Sequence, residues 1–247
     1  MRSSYITDTG KVRDHNEDSV TVIKVKNGDY LLVVADGMGG HRKGEVASMI
    51  CIKYLIKAAS DLESFGDKLN AVKWLNDNIT KVNEEIFSYS KNHEDSYGMG
   101  TTIVASIVSK DYLLFANIGD SSGYVFKGGK LHKVTKDHTL VNLLVDSGSI
   151  TNEEAKHHPK KNVLMKALGV SEITELDIFG VDGGFDAILL CSDGLTGMLS
   201  DDLIENVLNE NLGVEKKVSK LVTKANARGG NDNISIALLL NEGEVIN

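Results

Sequence analysis

Apolar residues fall into two patterns along this chain. Dense runs occur in "LLVVADG" (31–37), "YLLFANIGD" (112–120), "AILLCSDG" (187–194) and "NISIALLL" (233–240), each bounded by polar or glycine-rich segments. Such runs read as buried strands. "SVTVIKVKNGDYLLVVAD" reads as a hairpin, two β-rich runs around Asn27-Gly28, a dipeptide that favours a type I′ turn. In "GEVASMICIKYLIKAAS" and "NAVKWLNDNITKVNEEIFSYS" the apolar positions recur at helical spacing instead, which predicts two consecutive long helices. The stretch from Gly100 to Thr135 predicts three or four strands joined by tight turns, one of them at Gly128-Gly129. Short helices are expected around 138–147 and 151–158, the second opening with a capping box from Thr151 to Glu154. Strands near 174–180 and 187–192, helices at 200–209 and 214–227, and a final strand complete the pattern.

The strands come in hairpin groups rather than in strict β-α-β alternation. That favours an antiparallel α+β arrangement, with a sheet-on-sheet core and helices outside. The 247 residues contain one proline, Pro159, no low-complexity linker and no internal repeat, so residues 1–247 read as a single domain.

Composition narrows the function classes. No apolar stretch approaches the roughly 20 residues of a membrane span. The N-terminus "MRSSYITDTG" lacks the apolar core of an export signal, and a cytoplasmic protein is expected. The formal charge of −8 argues against wrapping nucleic acid or resting on an anionic membrane. Cys51 and Cys191 sit far apart in apolar contexts and read as reduced core residues. Arginine occurs only at Arg2, Arg13, Arg42 and Arg228 in a lysine-rich chain, which gives weight to an arginine within an acidic stretch.

Five acidic signals mark the edges between strands and loops: Glu17-Asp18, Asp36-Gly37, Asp120, Asp193-Gly194 and Asp232. Carboxylates gathered without histidine or cysteine partners make an all-oxygen site, suited to a hard ion such as Mg²⁺ or Mn²⁺ rather than zinc. Glycine after the aspartate permits a sharp backbone turn that brings its carbonyl near an ion. A single Asp-Gly is more often a simple turn. Two apolar runs that both end on Asp-Gly carry more weight. "GGHRKGE" (39–45) lacks the Lys-Ser/Thr pair of a phosphate loop, and no G-x-S-x-G elbow surrounds Ser192. None of the seven histidines shows zinc-ligand spacing with a cysteine; His157-His158 is expected at a helix end.

The stretches "TDTGKVRDHNEDS", "VADGMGGHRKGEVAS", "GMGTT", "IGDSS", "TKDHTLVNLLVDSGSITNEEAKHHPKKNVLMKALG", "LLCSDGLTGML" and "ANARGGNDNISIALL" resemble, in order and over nearly the whole chain, the PPM (type 2C) metal-dependent protein serine/threonine phosphatases of the bacterial branch. The resemblance implies a four-layer α-β-β-α sandwich, two antiparallel sheets flanked by helix pairs. It also implies a centre of two Mn²⁺ or Mg²⁺ ions bridged by Asp36, with the Gly37 carbonyl on one ion and Asp193 and Asp232 completing the other. Asp18 would join the metal site, mainly through ordered waters, with Glu17 as support. Arg13 would grip the substrate phosphate. A third, weaker ion would lie near Asp120 and Asp193, and residues 139–170 would form a mobile flap beside the cleft. The implied reaction is attack of a metal-bridged hydroxide on phosphoserine or phosphothreonine in protein substrates. The implied role is that of a monomer opposing a cytoplasmic serine/threonine kinase.

The chain departs from common patterns of that family at Met38, where some relatives carry histidine, and at Ser122, Lys161 and Lys166, where arginine is frequent. His41 lies near but matches no assigned role. Two rival readings are a phosphoprotein-binding pseudoenzyme and a Ca²⁺-stabilised structural domain. The first would lack a metal aspartate, and none is missing. The second gains nothing from Arg13 beside the acids.

Overall fold

The computed structural model describes residues 1–39 and 43–241. His41 and Arg42, and with them the middle of "GGHRKGE", lie outside the described residues. Strands and helices are numbered in chain order. One antiparallel sheet runs in the order β1 (Arg2–Asp8), β11 (Ile234–Leu240), β10 (Ala187–Cys191), β7 (Ser122–Lys127) and β8 (Lys130–Lys133). The second runs β2 (Asp18–Lys24), β3 (Tyr30–Met38), β5 (Ile103–Val108), β6 (Leu113–Ile118) and β9 (Asp177–Val181), with the short β4 (Gly100–Thr101) paired to the end of β3.

The dense apolar runs are explained by three stacked cores. In β3, Leu31, Val33 and Ala35 face α1 (Gly44–Ser60) and α2 (Lys68–Asn92), while Tyr30, Leu32 and Val34 face the opposite sheet. In β10, Ile188 and Leu190 join that inter-sheet layer, whereas Ala187, Leu189 and Cys191 pack outward. Their outer partners are α6 (Asp201–Asn209) and α7 (Val214–Ala227), through Ile204, Val207, Val218 and Leu221. A strand covered on both sides needs apolar residues at every position, so two-residue alternation disappears. Each fully buried leucine, isoleucine or valine contributes about 1.5–3 kcal/mol over its exposed state. The result is the expected four-layer α-β-β-α sandwich.

Cys51 and Cys191 are free and buried in different outer cores, with the inter-sheet layer between them. Burial pushes the Cys51 thiol up to about 12. The capping box forms at α4 (Asn152–His157): the Thr151 hydroxyl accepts from the Glu154 amide at 3.2 Å, and the Thr151 amide donates to Glu154 at 2.7 Å. His157 occupies the last turn of that helix and His158 its C-cap. Gly128 and Gly129, with φ of +58° and +80°, form a two-residue turn between β7 and β8.

One element is added to the expected set and two expectations are corrected. The N-terminal segment is strand β1, paired residue for residue with β11 from Arg2↔Leu240 to Asp8↔Ile234. It lies at the edge of its sheet and half exposed, so its sequence carries little apolar signal. Between β4 and β8 there are five strands rather than three or four. The β2–β3 hairpin exists, but Asn27-Gly28 does not make a two-residue type I′ turn. The Gly28 amide donates to the Val25 carbonyl at 3.0 Å, which puts Lys26 and Asn27 at the turn centre. Tertiary bonds override the local preference: the Lys26 and Asn27 backbones donate to Leu62 and Glu63, and the Asn27 side chain adds a local bond to buried Asp29.

Candidate active site

Strand pairing places the first two acids. Asp18 opens β2 and stands opposite Asp36 on β3. The Asp36 backbone is fixed from β4 and its neighbour: its amide donates to Thr102 Oγ1 at 3.0 Å, and its carbonyl accepts from the Thr102 amide and Thr101 Oγ1 at 2.8 and 2.9 Å. Thr102 Oγ1 in turn meets Ser121 Oγ at 2.7 Å, beside Asp120 at the end of β6. Asp18 reaches the other sheet, accepting from Ser192 Oγ at 2.7 Å, while Ser192 Oγ accepts from the Ser235 amide at 2.9 Å. Ser192 precedes Asp193, the first residue of α5 (Asp193–Thr196).

The remaining residues arrive through Asn233. Its side chain accepts from the Glu17 amide at 2.8 Å and donates to the Thr9 and His15 carbonyls at 2.9 and 2.8 Å. The loop carrying Arg13 and Glu17 is thereby held against Asp232. Arg13 Nη2 donates to Asp232 Oδ2 at 2.7 Å, and Asp232 Oδ1 accepts from the Asn233 amide. The sequence singles out none of Thr101, Thr102, Ser121 and Asn233, and it raises Ser192 only as a candidate nucleophile. They lie in the quoted stretches, but their partners are distant in the chain.

A cleft of about 280 Å³ is lined by Arg13, Glu17, Asp36, Gly37, Asp120, Asp193 and Asp232, with Met38 at its edge and Asp18 buried beneath. Through Asp120, Asn162, Asp193 and Asp232 it opens into a cavity of about 1090 Å³ alongside α3 (Leu140–Asp146) and α4. Lys161 lines this larger space, Lys166 reaches Glu175 at 3.5 Å, and Ser122 is buried on β7 opposite Cys191. Among the described residues no three histidine, cysteine or carboxylate side chains are drawn together closely enough to hold a metal ion as they stand. The acids ring the cleft instead.

Their electrostatics are those of crowded like charges. Burial pushes Asp18 up to about 7, with Asp193 and Asp232 adding to the effect and hydrogen bonds from Ser192 and Ser235 opposing it. Asp120 is likewise raised to about 7, first by burial and then by Asp193 and Asp137. Asp36 is held well above the usual carboxylate range by burial, then by Asp18, Asp193, Asp120 and Asp232. Asp193 rises through burial and Asp232, and Glu17 through burial. Arg13 is raised in its turn, chiefly by its bond to Asp232. Among the described residues one guanidinium is thus set amid six carboxylates.

The glycines after the acids are needed for a reason other than the expected sharp turn. Neither Gly37 nor Gly194 takes a positive φ. Gly37 continues β3 opposite Thr101, and a Cβ there would meet the carbonyl oxygens of Gly44 and Glu17 at 2.2 and 2.4 Å. At Gly194 a Cβ would meet the Asn233 carbonyl oxygen at 1.9 Å. Close approach of two backbones excludes any side chain.

The family described as protein phosphatase 2C matches residues 10–236. The serine/threonine phosphatase stp of Listeria welshimeri is 40% identical over 240 residues, covering 97% of this chain and 95% of that protein. The protein phosphatase PhpP of Streptococcus pneumoniae is 36% identical, with 97% of each chain covered. Among solved structures, a bacterial serine phosphatase superposes with a TM-score of 0.93 at 34% identity over 100% of both chains. Serine/threonine phosphatase Stp1 from Staphylococcus aureus does so with 0.91 at 35%, covering 98% of this chain and 95% of that one. Fold and likeness together define an enzyme, a protein serine/threonine phosphatase acting on phosphoproteins. The chain belongs to the protein phosphatase 2C family, in which divalent-metal dependence is general.

Proposed function

We propose that the cleft is a two-metal phosphatase centre. Asp36, Asp193, Asp232 and the Gly37 carbonyl would hold Mn²⁺ or Mg²⁺, with Asp18 and Glu17 as support and Asp120 beside a third, weaker position. The observation that carries this reading is the charge pattern: among the described residues six carboxylates from distant stretches meet one guanidinium, that of Arg13, and Asp18 Oδ1 is buried without a hydrogen-bond partner. Burying unpaired carboxylates is costly, and hard cations offset that cost with the oxygen donors found here. The donor set fits the group.

When bound, such ions lower the pKa of a coordinated water and neutralise phosphoryl oxygens. The chain's own residues do the rest. Arg13, half exposed and aimed into the cleft, offers a planar fork of donors to two phosphate oxygens once it leaves Asp232. It offsets charge developing on those oxygens as the bond to the serine or threonine oxygen breaks. Asn233 and the Thr101–Thr102–Ser121 hydroxyls fix the backbones that present the acids, so little reorganisation accompanies the reaction. No nucleophilic side chain is required.

The reading extends to a monomer of one catalytic domain, residues 1–247, with 139–170 as its flap. It acts in the cytoplasm against a serine/threonine kinase and that kinase's targets. Among the described residues no helix is long and apolar enough to cross a membrane. The test is hydrolysis of p-nitrophenyl phosphate and a phosphothreonine peptide with Mn²⁺, Mg²⁺ or EDTA. Turnover with either ion and none with EDTA is expected; activity that survives EDTA would overturn the metal centre.

A further inference from the structure

Residue 138 joins three segments that are separate in the chain. The His138 side chain is only 10% exposed. Its Nδ1 lies 3.1 Å from the Gly119 amide nitrogen, and its Nε2 lies 3.0 Å from Asp177 Oδ2 on β9. A ring nitrogen that accepts from an amide carries no proton, so the imidazole hydrogen sits on Nε2 and is donated to the carboxylate. The backbone of the same residue makes two more bonds. Its amide donates to the Gly119 carbonyl at 2.9 Å, and its carbonyl accepts from the Met165 amide at 2.8 Å. Asn117 adds a further tie, donating from its side chain to the Gly119 and Lys136 carbonyls at 3.2 and 3.0 Å.

Gly119 is the residue before Asp120. It is buried, takes a φ of +107°, and a Cβ there would meet Thr102 Cγ2 at 2.6 Å. Such a turn persists when its surroundings dictate it, and both polar groups of Gly119 are bound to residue 138. We infer that His138 is a positioning residue: its ring, oriented by Asp177, fixes the turn that presents Asp120, and its backbone ties the returning end of segment 139–170 to the same point. The inference rests on the reading of Asp120 as a carboxylate of the metal centre.

Histidine suits this place because one rigid ring carries an acceptor and a donor on different edges. Asparagine reproduces the acceptor near Nδ1 and stops short of Asp177. Glutamine reaches Asp177 with its amide and leaves the Gly119 N–H without an acceptor, which is costly for a buried group. The two variants therefore separate the two bonds.

The test combines amide hydrogen exchange at Gly119 with calorimetric Mn²⁺ titration of metal-stripped full-length protein, for wild type, His138→Asn and His138→Gln. In His138→Gln the Gly119 amide should exchange about tenfold faster or more relative to Phe115 on β6, and Mn²⁺ should bind several-fold more weakly. His138→Asn should stay closer to wild type in both. The ¹⁵N shifts of the wild-type ring should report the Nε2–H tautomer. Unchanged Gly119 exchange in His138→Gln, or equal losses in both variants that merely follow their melting temperatures, would overturn the positioning role. A wild type that binds no Mn²⁺ would instead sink the metal-centre reading, and the Gly119 contrast would still decide the role of His138.

Discussion

Asp18 and Asp36 are cross-strand partners in the β2–β3 ladder, and no basic group is among the main influences on either carboxyl. Two acids set side by side in a covered position are stable only when protonated or when a cation joins them. This pair makes the stability of the protein depend on both pH and metal.

In EDTA, the protein should lose stability as pH rises. Asp18 and Asp120 have folded values of about 7, above an unfolded carboxyl. Between roughly pH 4 and pH 7 the folded state therefore holds more protons than the unfolded chain, and stability falls as pH increases through that window. A loss on the order of 2–5 kcal/mol between pH 5 and pH 8 is expected. Calorimetric melting in EDTA at both pH values measures it, and saturating Mn²⁺ should flatten the slope. A metal-stripped protein that melts higher at pH 8 than at pH 5 contradicts the crowding of acids.

Asp36→Asn and Asp193→Asn should fold and lose catalysis. Each removes a charge that burial and neighbouring carboxylates oppose, so melting in EDTA should hold or rise. Loss of several kcal/mol of transition-state stabilisation corresponds to about a thousandfold in kcat. Steady-state kinetics with p-nitrophenyl phosphate in Mn²⁺ decides the point, and activity within tenfold of wild type would exclude these residues from the centre.

Arg13→Ala should weaken turnover by about 10- to 100-fold, the value of a charge-assisted contact to phosphate. Arg13→Lys should recover part of it, since an ammonium keeps the charge and loses the fork. Melting temperatures should barely move, because exposed pairs such as Arg13–Asp232, with side chains 53% and 35% exposed, contribute about 0–1 kcal/mol. A large drop in melting temperature would make Arg13 a structural residue.

Gly194→Ala should be costly despite its small size. Its Cβ would sit 1.9 Å from the Asn233 carbonyl oxygen, and forcing the two backbones apart costs about 1–3 kcal/mol. The shift also separates Asp193 from Asp232. Reduced thermal stability together with weaker Mn²⁺ binding is the expected pair of results. A variant with wild-type values in both would show that this close approach is dispensable.

The acids at strand ends were legible because a dense apolar run that stops on a carboxylate is itself unusual, as at Asp36 and Asp193. The hydroxyls that hold them were not. Thr102 and Ser121 are ordinary residues until β3, β5 and β6 lie side by side, and Ser192 meets Asp18 only where the two sheets face each other. Asn233 looked like the neighbour of an acid, yet its side chain organises the whole 9–17 loop. Strand β1 was hidden because an edge strand draws its stability from ladder bonds to β11 rather than from an apolar face of its own.

The order of apolar runs and helical spacings located the buried strands and the long helices, though not the edge strand β1, since burial on one face or two leaves its period in the chain. The sequence also set the oxygen-only chemistry of the acids and placed Arg13 five residues before Asp18. Tertiary structure alone decided which acids become neighbours, why the glycines after Asp36 and Asp193 cannot carry a side chain, and which residue grips the Gly119 turn. Those are distances between segments far apart in the chain, and no local period encodes them.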